Sequence, residues 1–212
     1  MNAVVFAPSA KGLQRMLDIC SKFAVTHNVT KSQCMIINSK FDLIHHPTFH
    51  LNGSTLPYTE KYKYLGHHII ISSLTDDNNV LRQTRSLYAR ANKIIRSFSF
   101  ASLSVKLALF KAYFTPIYGC QLWSRLFQYS NRKLQVAYND AFRQLLREPR
   151  WFSASRLFVY NNVPSFDAVV RKLVYCFWCS LCKSDNMLIQ AVLSSDIYFQ
   201  SFLFQRWRSI LF

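Results

Sequence analysis

Val80, Leu81, Thr84, Leu87, Tyr88, Ala91, Ile94, Ile95 and Phe98 recur at three- and four-residue intervals. That is the period of an α-helix with one buried face. The other face carries Arg82, Arg85, Arg90, Lys93 and Arg96. A chain containing this stretch must cover one side with apolar partners and leave the other to water or to an anion. The acidic pair Asp76-Asp77 stands just before it, where carboxylates favour a helix start.

The pattern continues downstream. Residues 104–127 are apolar nearly all round, which predicts a helix at the centre of a bundle, kinked at Pro116. Leu134, Tyr138, Ala141, Phe142 and Leu145 mark a further helix, with Arg132, Lys133, Arg143 and Arg147 outside. Phe166, Val169, Val170, Leu173, Val174, Phe177, Trp178 and Leu181 mark another. Upstream the signals change. Val4–Ala7 and Cys34–Ile37 are short strand-like runs, and Lys63–Ile71 is a third containing Gly66. Ser9 is placed to cap a helix whose face is Leu13, Met16, Leu17, Cys20 and Phe23. Asn52-Gly53 accepts the positive φ angles of a tight hairpin. The expected class is α+β: a few antiparallel strands with one helix over residues 1–75, a basic helical part over 76–150, and a helical extension over 151–212 that stops within an apolar segment.

Charge sharpens the division. The chain has 26 Lys+Arg against 10 Asp+Glu. Residues 78–150 hold 13 of the basic and only 2 of the acidic side chains. Such an excess points to a polyanion, either nucleic acid or an anionic membrane surface. Neutral solvated surfaces mix both signs, so the near absence of interleaved acids argues against an ordinary solvated face. The run Leu103–Phe127 has the length of a membrane span, but Lys106, Lys111, Gln121, Pro116 and Gly119 interrupt it, so a buried helix is expected instead. No signal-peptide pattern opens the sequence, so its six cysteines are expected as free thiols of an intracellular, non-secreted protein.

Cys176, Cys179 and Cys182 invite a metal reading, but on a helix they spread around one side and no fourth ligand follows. Buried cysteines are expected there. Adjacent strand residues point to opposite faces, so neither His45-His46 nor His67-His68 is assigned a shared metal. No P-loop or Ser–His–Asp pattern is present.

The order of motifs carries one resemblance. Val4-Val5-Phe6-Ala7-Pro8-Ser9 leads into a helix beginning Gly12-Leu13-Gln14, followed by Asn28-Val29-Thr30-Lys31-Ser32 and a strand with Met35. Then come Lys63-Tyr64-Leu65-Gly66, the basic helix, Pro116-Ile117-Tyr118-Gly119 and Trp123. Over residues 3–165 this set resembles the palm-to-thumb half of reverse transcriptases of non-LTR (LINE-type) retrotransposons. The resemblance implies a remnant of a polymerase palm before a helical thumb. It implies that Lys31 stands on the triphosphate side, and that Tyr64, Leu65 and Gly66 form the primer grip. Arg82, Arg85, Arg90, Lys93 and Arg96 would then face a primer–template duplex. From the residues alone, Lys31 is a solvated lysine, Tyr64 and Leu65 pack in a core, and Gly66 marks a bulge.

In that family a Tyr-Ala-Asp-Asp turn directly precedes the Val-Val-Phe strand, which puts Met1 and Asn2 about where the two Asp would stand. The family's polymerases use two Mg ions held by carboxylates. Methionine and asparagine supply no carboxylate, so no catalytic or metal-ligating residue is assigned and no cofactor is expected to be retained. The resemblance therefore implies a chain that by itself binds RNA–DNA hybrid or DNA duplex without copying it, the polymerase half coming in trans if at all. The other readings are a non-enzymatic basic nucleic-acid-binding module and a basic amphipathic protein of the membrane surface.

Overall fold

A computed structural model describes residues 4–22, 29–37, 47–64, 66–70 and 75–212. The class is mixed α+β. The chain divides into two compact units, residues 1–74 and 75–212.

In the first unit, helix α1 (Ala10–Lys22) starts where Ser9 was expected to cap it, with the Gly12 N–H donating to Ser9 Oγ at 3.2 Å. Strands β1 (His50–Leu51) and β2 (Ser54–Thr55) form the expected hairpin, Leu51 opposite Ser54. Asn52 and Gly53 take φ of 51° and 75°, as such turns require. The hairpin docks on α1 through Gln14. Its amide donates to the His50 carbonyl at 3.0 Å, and its oxygen accepts the His50 N–H at 2.9 Å. Leu17, Cys34, Phe49, Leu51 and Leu56 make a small core here.

Three expectations change in this unit. Residues 4–7 form no strand, and Val4 and Phe6 are exposed. A strand needs a hydrogen-bonded neighbour, and none of the described strands pairs with this run. Cys34–Ile37 shrinks to a single parallel bridge between Cys34 and Tyr58. The described part of the 63–71 run belongs to a hairpin rather than one strand: β3 (Lys61–Tyr64) pairs antiparallel with β4 (His67–Ile70), and Gly66 between them takes φ 80°. That φ is open to glycine at little cost.

The second unit is helical: α2 (Asp77–Ser97), α3 (Leu103–Phe114), α4 (Gln128–Leu146), α5 (Ala154–Tyr160), α6 (Phe166–Cys182), α7 (Met187–Leu193), α8 (Asp196–Phe199) and α9 (Phe202–Leu211). Val80, Leu87, Ala91 and Ile94 of α2 are buried, as are all five residues of the expected α4 face. Serine or asparagine side chains cap α5 to α9 from Ser153, Ser165, Asn186, Ser195 and Ser201. The core centres on stacked and tilted aromatic rings. Phe110 lies 4.7 Å from Phe114, 5.1 Å from Tyr138 and 4.5 Å from Phe142, ring centre to ring centre. Trp207 closes the far side, donating from Nε1 to the Gln121 carbonyl at 2.8 Å.

The long apolar run is not one central helix. Helix α3 ends at Phe114, and only Phe110 and Phe114 of it are buried. Pro116 offers no N–H and its ring obstructs the preceding turn, so it stops the helix instead of bending it. Gly119 then takes φ 78°, which redirects the chain into a short 3-10 turn at Cys120–Leu122. This places Ile117, Cys120 and Trp123 in the core and leaves Leu103, Val105 and Tyr113 exposed.

Cys120 has no exposed surface, and burial pushes its thiol up to about 12 from 9.0, with the Arg206 charge partly opposing. Burial moves the Tyr138 phenol in the same direction. A raised acid favours the folded state while neutral, so this stabilisation is whole below pH 9 and is lost as pH rises from 9 towards 12. Between pH 8 and 10.5 the native chain should lose about 2 kcal/mol more unfolding free energy than Cys120→Ala. Urea denaturation at the two pH values measures the difference, and equal losses would remove Cys120 as the cause.

Candidate nucleic-acid interface

Helix α2 presents its cations in an orderly way. At 100° per residue, Arg82, Arg85, Lys93 and Arg96 fall within an arc of about 80°, spread over about 21 Å of helix length. The arc lies opposite the buried Val80–Leu87–Ala91–Ile94 side, so packing against the core turns it outwards. Arg85, Lys93 and Arg96 are exposed and Arg82 is half-buried. No acidic side chain interrupts α2 after Asp77. The spacing suits a row of phosphates, which cationic side chains contact without regard to sequence.

Arg90 leaves this row. Its Nη1 donates to the Tyr113 carbonyl at the end of α3, and its Nε to the Ser86 carbonyl at 3.3 Å. Burial pulls its guanidinium pKa down. The last carbonyls of a helix have no partner within it, and a cation there satisfies one of them and the dipole together. Arg90 therefore ties α3 to α2. Arg143, expected outside α4, is likewise turned inwards. It donates to the Phe152 carbonyl at 2.8 Å and pairs with Asp140 at 2.9 Å. Arg132 and Lys133 are exposed as expected.

Just past the C-terminal end of α2 the structure sets Phe100, which periodicity did not select, beside Arg147, which was expected outside α4. Arg147, in the left-handed conformation with φ 62°, ends α4 and donates to the Ser99 carbonyl at 3.0 Å. Its guanidinium lies 5.7 Å from the ring of Phe100. Phe100 is 95% exposed, three residues beyond the end of α2, and Trp151 nearby in sequence to Arg147 is 83% exposed. In proteins that bind single strands, exposed rings beside arginines offer faces on which bases stack. Their signal in the sequence is an aromatic residue in a loop, outside either helical face.

The remaining candidates lie in the first unit. Lys31 is exposed at the end of a 3-10 turn, Val29–Lys31. Tyr64 is half-buried opposite His67, next to the Gly66 turn, and Leu65 lies outside the described residues. His45-His46 lies outside them also. His67 and His68 sit on β4, facing Tyr64 and Lys63. Cys176 and Cys182 are exposed and Cys179 is half-buried, correcting the expectation of a buried set. The buried face of α6 is formed by Phe166, Val169, Val170 and Val174, which turns the thiols away from the core. Among the described residues no three His, Cys, Asp or Glu side chains gather as a metal-holding group, and Met1 and Asn2 lie outside them.

Among the described residues no helix is long and apolar enough to cross a membrane. No family model, curated protein or solved structure matches this chain.

Proposed function

We propose that this chain binds nucleic-acid duplex through the outward row of α2, as the palm-to-thumb part of a reverse transcriptase of the non-LTR type, and does not itself copy a template. The observation that carries the binding is the four-cation arc of Arg82, Arg85, Lys93 and Arg96, free of interleaved acid. The ordered motifs from Val4 to Trp123 support the reverse-transcriptase reading. In it the first unit is the palm remnant, Lys31 stands on the triphosphate side, and Tyr64 to Gly66 form the primer grip. The mechanism asks only for charge and spacing. Each phosphate neutralised releases condensed counterions, so affinity falls steeply with salt.

Fluorescence anisotropy of the full chain on an RNA–DNA hybrid across a salt series tests it. Replacing Arg82, Arg85, Lys93 or Arg96 singly with Gln should lower the slope of log K against log salt by about one unit each. Arg90→Gln should instead lower stability and leave the slope unchanged. A preference for hybrid over DNA duplex supports the reverse-transcriptase reading, and equal affinity favours a general basic module. Tighter binding to anionic vesicles than to either duplex, or unchanged slopes in all four variants, would refute the proposal.

A further inference from the structure

Helices α2 and α4 run side by side in the same direction. Their starts are joined where Asp76 Oδ2 accepts the Ser124 N–H at 2.7 Å and the Arg125 N–H at 3.1 Å. Their ends are joined where Arg147 Nη2 donates to the Ser99 carbonyl at 3.0 Å. Two large rings stand in the turns just past these joined ends. Phe100 is 95% exposed and Trp151 is 83% exposed. Trp151 follows Arg147 by four residues, in a turn closed by the Phe152 N–H on the Pro149 carbonyl at 3.0 Å. Single exposed rings are ordinary. The company of these two is not. The Ser99 bond fixes Arg147, whose guanidinium lies 5.7 Å from the Phe100 ring. Arg96 ends the α2 row four residues before Phe100, a reach of at most about 14 Å. Residues 93–100 and 140–151 hold five Lys or Arg against two Asp or Glu. Of the two acids, Asp140 is already shared by Arg143 at 2.9 Å and Arg150 at 3.4 Å, and Glu148 is half-buried.

We propose that the joined C-terminal ends of α2 and α4 hold an unpaired nucleic-acid strand, one base stacked on Phe100 and a second on Trp151, with Arg96, Arg147 and Arg150 on its phosphates. Every base has a flat π face, so such a site accepts any sequence, and arginine beside the ring adds to the stack. The carbonyl ends of the two helices disfavour a phosphate directly over them. That leaves the spot to rings and bases and sets the phosphates out by the guanidinium groups. A lipid-binding helix instead lays one continuous apolar face into the headgroups, whereas these rings stand in separate turns among arginines. The inference rests on the duplex reading only for where the strand comes from: the α2 row leads to this end, so the strand held is one leaving the duplex.

Fluorescence anisotropy of the full chain tests it with three probes. They are a blunt RNA–DNA hybrid, that hybrid with an unpaired overhang of about six nucleotides, and the same overhang made abasic, which keeps the phosphates and lacks the bases. The overhang with bases should bind at least about tenfold tighter than the abasic one. Phe100→Ala and Trp151→Ala should each give up about fivefold of that gain, Phe100→Trp should keep it, and Tyr160→Ala, which removes an exposed ring on α5, should not change it. On the blunt hybrid, which offers no unpaired base, the ring variants should stay within about twofold of the parent chain. Equal affinity for the two overhangs, or ring variants that lose nothing, overturns the inference, while blunt-hybrid binding keeps the duplex reading. Tight binding of the overhang without binding of the blunt hybrid upholds the site and ends the duplex reading. Tighter binding to vesicles of phosphatidylserine and phosphatidylcholine than to the overhang, lost in Phe100→Ala, assigns the rings to lipid and also overturns it.

Discussion

Phe110→Ala is expected to lower the unfolding free energy of the 75–212 unit by about 3–5 kcal/mol. Phe110 has no exposed surface and meets the rings of Phe114, Tyr138, Phe142 and Phe158. Those rings come from α3, α4 and α5, so they cannot close together over the gap without moving three helices. The loss combines the transfer free energy of the ring with the cost of an unfilled cavity. A domain is stable by only about 5–15 kcal/mol, so much of the unit's stability goes with one side chain. All four tryptophans lie in residues 75–212, so tryptophan fluorescence in urea follows this unit within the full chain. Phe100→Ala is the matched control: the ring is 95% exposed, and a change within about 0.5 kcal/mol is expected. Similar losses in the two variants would contradict the core described above.

The second large effect is expected at Asp76. This buried carboxylate was placed by its sequence position at a helix start, yet its side chain makes no capping bond to α2. Its Oδ2 accepts the N–H groups of Ser124 at 2.7 Å and Arg125 at 3.1 Å, and its own N–H donates to the Arg125 carbonyl at 2.7 Å. Asp76 thus fastens the start of α2 to the segment that enters α4. Its charge also faces Arg206, where it raises the guanidinium pKa against the effect of burial. Asp76→Ala removes charge-assisted bonds and leaves two amide donors unpaired, a loss of about 2–4 kcal/mol. Asp76→Asn keeps an acceptor without the charge and should lose less. Hydrogen exchange at the Ser124 and Arg125 amides should speed up in both variants, while the exposed Asp185→Ala stays within about 0.5 kcal/mol of the parent chain. Full amide protection in Asp76→Ala would rule out the clamp.

Helical spacing picked out the centre of each buried stripe, but not its edges: Met16 of α1, Tyr88 of α2, Phe98 just past its end, and Cys176 and Cys182 of α6 are exposed. The buried stripes of α2, α4 and α6, the Ser9 cap, the Asn52-Gly53 reversal and the mixed α+β class all follow from local period and local backbone preference. Their common reason is that periodicity and turn chemistry act within a few residues of chain. Partnership between distant groups is a different matter. Arg90 and Arg143 look the same in sequence as the outward cations, and only the end of α3 and the loop at Phe152 turn them inwards. The apolar run from Leu103 reads as one kinked helix, but the chain ends α3 before Pro116 and turns at Gly119, which brings Trp123 into the core beside Phe110. Residues 4–7 have the composition of a strand but no described neighbour to complete one. Tertiary structure decided these cases because a hydrogen bond or a ring contact belongs to two residues at once, and the sequence states only which residues are available to make it.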